Sequence, residues 1–263
     1  MWPEFFAAIR AGRLLNFLRF FLAPFALGAG AVLGFAPFEF YFLPPVTLTA
    51  LLLIWLQCHA PRAAAALGFA FGAGMFLAGV SWVYVSLHDY GGMAMPVAAL
   101  FTLLFCLILA CYPALACAIG SRLHASTPVR LMLLFPALWA VSEWVRSWLF
   151  SGFPWLAIGY SQVPSSPLAG YAPLLGVFGV SLITAAMAGA AASAIDGFLR
   201  SRSPANPGRQ SSRVIAGVCV AGILAIAGAV LKTHQWTRPV SGEPTSVTLL
   251  QGNIAQELKW RPE

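Results

Sequence analysis

Few residues in this chain have the chemistry to act on anything, and where they fall sets the question. Glu143 and Arg146 stand three apart near the end of an apolar run, a spacing that puts both on one helix face. Charges at membrane depth are costly unless partnered, so the two are expected to pair. Such a pair either fixes helix packing or holds a zwitterionic or anionic lipid headgroup. His88 and Asp89 adjoin beside Tyr90-Gly91-Gly92. Their types suit a proton relay, but adjacent side chains diverge, and a solvated loop is the expectation. Asp196 reads as an interfacial charge at the end of a later run.

A richer stretch follows Arg146, from Ser151 through Gly152, Phe153, Pro154, Trp155 and Tyr160 to Gln162. Its glycines permit unusual backbone angles and Pro154 fixes its own. The segment can therefore hold Phe153, Trp155 and Tyr160 as a shaped aromatic surface at a membrane interface, where amphipathic rings are favoured. An ordinary aromatic belt is the alternative. A second patch, Trp82 to Ser86, is placed to face it.

Other chemistries lack their residues. The five cysteines, Cys58, Cys106, Cys111, Cys117 and Cys219, sit within or beside apolar runs with no C-x-x-C spacing, so neither disulfides nor zinc are expected. His59, His124 and His234 lie in loops and form no metal-binding set. There is no G-x-G-x-x-G after a strand, no G-x-S-x-G and no P-loop, so nucleotide and serine-hydrolase readings have no motif. No cofactor is expected.

The elements that must position these residues are helices in lipid. Of 263 residues 60% are hydrophobic and 9% charged, against about 25% charged in ordinary globular proteins. The net charge of +7 comes from Lys and Arg scattered between apolar runs, which reads as a topology signal and not as a nucleic-acid patch. Runs near the ~20 residues needed to cross a bilayer give about seven transmembrane helices, near 17–35, 42–58, 66–87, 95–120, 130–150, 168–195 and 214–231, the first open to splitting at Pro24. A signal peptide is the competing reading of the first run. No small-residue cleavage site follows it, and Gly34-Phe35-Ala36-Pro37-Phe38 continues as an aromatic loop, so a retained anchor is expected.

Arg10, Arg13, Arg19, Arg62, Arg122, Arg130, Arg200, Arg202, Arg209 and Arg213 all fall on one side of this arrangement, whereas the opposite loops hold only Arg146. The bias places the N-terminus in the cytoplasm and the chain after residue 231 on the far side. Gly68, Gly72, Gly74 and Gly79 read as sites of close helix approach. After Leu231 a polar linker leads to Ser246–Gln251, which alternates like a strand and ends at Gly252-Asn253. One strand cannot bury itself, so residues 232–263 are expected to begin a domain completed elsewhere.

Several segments together resemble apolipoprotein N-acyltransferases: Leu33 to Phe38, Gly79 to Ser86, Gly91-Gly92-Met93, Pro136 to Trp139, Glu143 through Arg146, Gly152 to Gln162, Leu250 to Ile254, and Leu258-Lys259-Trp260. The resemblance implies an α-helical polytopic membrane domain over 1–231, then, from 232, the linker and first strand of a truncated periplasmic nitrilase-like (carbon–nitrogen hydrolase) α/β domain. It implies a multi-pass protein of the bacterial inner membrane. It implies acyl transfer from a phospholipid resembling phosphatidylethanolamine to the amine of the diacylglyceryl-cysteine of an apolipoprotein, through a cysteine thioester. The family's catalytic Glu, Lys and Cys have no counterpart within 1–263, so no catalytic residue is assigned and this chain alone is expected to be inactive. Residues carried over as substrate-handling are Phe153, Pro154, Trp155, Tyr160 and Trp260, with Arg146, its neighbour Glu143, and Gln162 near the headgroup.

Alternatives are a membrane-anchored nitrilase-like amidase, a seven-helix transporter and a non-enzymatic scaffold. A transporter would carry midplane charges or paired broken helices, and none stands out. The charge bias makes a direct prediction. In a background lacking native cysteines, a cysteine replacing His234 should react with an impermeant maleimide from outside the membrane, and one replacing His124 only after lysis. The reverse pattern would invert the orientation.

Overall fold

The computed structural model describes residues 17–58, 60–201, 207–238, 242 and 246–254. Arg10, Arg13, His59, Arg202, Lys259 and Trp260 lie outside them. The apolar runs fall on helices: α1 Leu18–Gly34, α2 Leu43–Trp55, α3 Pro61–Gly79, α4 Met95–Arg122, α5 Thr127–Arg146, α6 Pro167–Ser201 and α7 Pro207–Lys232. Among the described residues, five of them, α3 to α7, are long and apolar enough to cross a membrane, whereas α1 and α2 are shorter. By length alone the expected seven spans thus reduce to five. The third run also ends earlier than expected. α3 stops at Gly79, and a separate helical turn over 83–90 carries His88 and Asp89. There His88 Nδ1 lies 2.8 Å from the Met93 carbonyl oxygen, so the expected loop is helical.

Pro24 does not split α1. A π-turn, Leu18–Leu22, precedes it, and a second, Arg130–Leu134, precedes Pro136 in α5. Proline lacks an N–H and its ring crowds the carbonyl four residues back. Widening the preceding turn accommodates both defects without breaking the helix.

Small residues set the helix spacing. α1 and α3 cross through reciprocal glycines: a Cβ at Gly28 would strike the Phe71 carbonyl oxygen, and one at Gly74 would strike that of Phe25. On the other face of α3, Gly68 and Gly72 meet the backbone of α4 at Pro113 and Ala110. Lipid competes for apolar side chains but not for such backbone contact. Around this pair Leu48, Trp55, Phe71, Met75, Phe135 and Trp139 are buried. Trp55 Nε1 donates to the Cys117 carbonyl at 3.0 Å, and the Arg130 guanidinium lies 4.6 Å from the Trp55 ring centroid.

α6 and α7 form a hairpin. Asp196 is not a bare interfacial charge: 8% exposed, it sits 2.7 Å from Arg200 Nε and 3.5 Å from Arg213 of α7. At the other end, Lys232 Nζ donates to the carbonyls of Pro164, Ser165 and Ser166 at 2.7, 3.1 and 3.3 Å. Beyond it, no strand forms among the described residues. Residues 246–251 lack a neighbouring strand to pair with, and a lone strand has no ladder to stabilise it. Leu249 and Leu250 are over 90% exposed.

The glycine crossing is directly testable. Gly28→Ala should destabilise the domain by about 1–3 kcal/mol through overpacking. Gly30→Ala, where a Cβ meets nothing within 4 Å, should be neutral or slightly stabilising. Thermal unfolding in detergent reads both, and equal losses would contradict the crossing.

Candidate functional site

At the end of α5 the chain doubles back on itself. Ser147 N–H closes the helix on the Glu143 and Trp144 carbonyls. Phe150, Ser151 and Gly152 then take positive φ of 54°, 74° and 79° in succession. A Cβ at Gly152 would meet the Ser147 carbonyl carbon at 2.6 Å, so only glycine completes this reversal. Phe153 N–H donates back to the Arg146 carbonyl at 2.8 Å. From there to Val163 the backbone is irregular, with Leu156 at φ 58° and a 3-10 turn over Ile158–Gln162.

Irregular backbone at an apolar helix end has polar groups that lipid cannot satisfy. Side chains do it here. Arg146 Nη1 donates to the carbonyls of Phe153 and Trp155, each at 2.6 Å. Glu143 Oε1 accepts from Ile158 N–H at 2.9 Å and from Trp139 Nε1 at 2.8 Å. Ser181 Oγ of α6 accepts from Gly159 N–H at 2.9 Å. Gln162 Nε2 donates to the Tyr41 carbonyl at 2.9 Å and to Ser161 Oγ at 2.8 Å.

This corrects the expected Glu143–Arg146 ion pair. They share a face, but each turns to the returning loop and they do not approach within 4 Å. The reason is stoichiometric: the loop offers unpaired carbonyls beside the arginine and an unpaired N–H beside the carboxylate. Glu143 and Arg146 are each 3% exposed and Gln162 1%. All three face inward.

The rings they hold form a wall. Phe153 meets Phe105 of α4 edge-on with centroids 5.0 Å apart, Phe153 and Trp155 lie 6.2 Å apart, and Trp155 meets Trp82 at 5.5 Å. Trp82 thus faces the aromatic stretch as its position in sequence suggested. Three apolar cavities open around this wall. One of about 450 Å³ lies between Val32, Phe35, Trp155, Leu156 and Tyr160. A second, about 370 Å³, is bounded by Val83, Leu87, Met93, Phe101, Phe105 and Phe153. A third, about 160 Å³, runs from Phe105 to Phe150 past Tyr112 and Arg146. The largest has the size usual for small-molecule sites.

Phe153, Pro154, Trp155 and Tyr160 therefore come together on cavity walls, with Glu143, Arg146 and Gln162 behind them. Trp260 lies outside the described residues. Sequence reasoning missed Phe105, Leu156, Ser181 and Glu39, the last of which lines the largest cavity. Only Glu39 left a signal, as an acid within an aromatic interfacial loop. Among the described residues no group of three His, Cys, Asp or Glu could hold a metal ion.

The fold and this site define a helical membrane domain that presents apolar chambers at one end of its bundle. Residues 27–190 match the family described as Apolipoprotein N-acyltransferase N-terminal domain. The apolipoprotein N-acyltransferase of Nitrosomonas europaea is 45% identical over 242 residues, covering 92% of this chain and 46% of that protein. That of Methylococcus capsulatus is 45% identical over 241 residues, 90% of this chain and 45% of the relative. That of Coxiella burnetii is 42% identical over 242 residues, 90% and 47%. The chain belongs to the apolipoprotein N-acyltransferase family, and it spans about half the length of the curated relatives it matches.

Arg146→Met should expose the loop by orphaning two carbonyls and leaving a buried carboxylate without its neighbouring cation, at a cost of about 2–5 kcal/mol. Glu143→Gln keeps an oxygen that can accept from Ile158 and should cost less than Glu143→Ala. Thermal unfolding and limited proteolysis within 150–163 measure these effects. Equal stability of Arg146→Met and the parent would show that the loop is held otherwise.

Proposed function

We propose that this chain is the membrane part of an enzyme that transfers an acyl chain from a phospholipid resembling phosphatidylethanolamine to the amine of diacylglyceryl-cysteine in an apolipoprotein. The observation that carries the reading is the aromatic wall with apolar cavities against it, pinned by Arg146 through the carbonyls of Phe153 and Trp155. Such a surface can hold hydrocarbon at the membrane edge while exposing an ester to chemistry supplied from outside the bilayer.

In this reading α1 and α2 join the five longer helices in the bilayer, the N-terminus is cytoplasmic, and residues from 232 begin a periplasmic nitrilase-like domain in the inner membrane's outer compartment. The strand expected over 246–251 finds its partners in that domain. The catalytic Glu, Lys and Cys belong to it and lie outside residues 1–263, and without them this segment is inactive. A thiolate there attacks the phospholipid ester and expels the lyso-lipid, and the lipoprotein amine then resolves the thioester. Phe153, Pro154, Trp155, Tyr160 and Trp260 contact acyl chains, and Glu143, Arg146 and Gln162 hold the loop that presents them.

Trp155→Ala, introduced into the protein at the length of its relatives, should slow thioester formation by about ten- to a hundredfold, as misplaced reacting groups do. The measurement is single-turnover acylation from a labelled phospholipid. Unaltered acylation would remove Trp155 from the substrate path.

A further inference from the structure

The largest cavity has a feature that hydrocarbon does not require. Among its lining residues Glu39 carries the only charged side chain, on the loop between α1 and α2. Glu39 has φ 58°, as does Leu156 across the same cavity, a conformation that residues with a Cβ rarely adopt. Local hydrogen bonds enforce it at Glu39. Its N–H donates to the Phe35 carbonyl at 3.0 Å, its carbonyl accepts from Tyr41 N–H at 2.8 Å, and Phe40 N–H reaches the Leu33 carbonyl at 3.0 Å. Gln162, at the end of the aromatic stretch, then bonds the Tyr41 carbonyl. Among the described residues the Glu39 carboxylate enters no ion pair and accepts no hydrogen bond from a side chain. These contacts hold an exposed acidic residue in a strained backbone conformation at the rim of an aromatic-walled cavity.

We infer that the cavity binds a lipid bearing a primary ammonium, with the cation against Glu39 and the faces of Trp155 and Tyr160 and the hydrocarbon along Val32, Phe35 and Leu156. A carboxylate and aromatic faces are complementary to an alkylammonium, and both attractions strengthen as water is excluded. The inference deepens the acyl-transfer reading and rests on it for the source of the amine: the ethanolamine headgroup of a donor or the free α-amine of a diacylated acceptor.

The test uses Glu39→Asp and Glu39→Asn in the full-length protein, since both side chains tolerate left-handed backbone and are nearly the same size, one charged and one neutral. Native mass spectrometry would compare retention of dioleoyl-phosphatidylethanolamine with dioleoyl-phosphatidylglycerol, and of a diacylated lipopeptide with its N-acetylated form. Glu39→Asp should keep the preference for the amine-bearing member, and Glu39→Asn should lower it about five- to tenfold, as expected for losing one charge-assisted contact at the cavity rim. A fall in the phospholipid ratio assigns the cavity to the donor headgroup, and a fall in the lipopeptide ratio assigns it to the acceptor amine. Either supports the site. Ratios that Glu39→Asn leaves unchanged would overturn it. Failure of the acyl-transfer reading would look different: no acyl transfer by the unaltered protein, with the Glu39-dependent ratio intact.

Discussion

Backbone polar groups that leave a helix at an apolar boundary must find partners inside the protein, and the site is built on that constraint. The run from Phe153 to Val163 cannot satisfy itself, being neither helix nor sheet through most of its length. A buried arginine and a buried carboxylate from the last turns of α5 replace the missing partners, with Ser181 and Gln162 completing the set. Because Arg146 bonds the carbonyls of Phe153 and Trp155, the two loop residues whose rings join the wall, satisfying the backbone and aiming these aromatics are one event. Desolvating both charges is expensive. Part of the expense is recovered through the two carbonyls that Arg146 bonds and the two N–H groups that Glu143 Oε1 accepts, while Glu143 Oε2 is buried without a hydrogen-bond partner.

The same economy of small contacts governs the bundle. In lipid, side-chain burial between helices gains little, so the crossing of α1 and α3 relies on backbone against backbone at Gly28 and Gly74. Pro24 and Pro136 are each preceded by a π-turn that makes room for the ring. The positions of the aromatic loop and of Glu39 thus depend on features far from them in sequence.

Much of this was legible in the chain. Apolar runs placed the helices, Gly68, Gly72 and Gly74 marked close approaches, and the stretch from Gly152 to Gln162 stood out as a shaped aromatic segment. Spacing put Glu143 and Arg146 on one face, but spacing says nothing of what else competes for a charge. The returning loop, brought there by three left-handed residues, outbid the partner three positions away. Asp196 was misjudged for the same reason, because Arg213 reaches it from another helix. Glu39, Leu156 and Phe105 matter through positive φ or through contacts more than forty residues distant along the chain, which composition and periodicity do not encode. The length of α3 was overestimated because its apolar composition continues past Gly79 although the backbone does not.

Lys232 closes the last helix by giving its three protons to three successive carbonyls of the 164–166 turn. The ammonium is in effect solvated by peptide oxygens, and a guanidinium, planar and forked, would not fit that crown. The turn it grips is the downstream end of the aromatic loop. The departure point of the polypeptide after α7 is thereby tied to the turn that follows Val163 on the rim of the largest chamber.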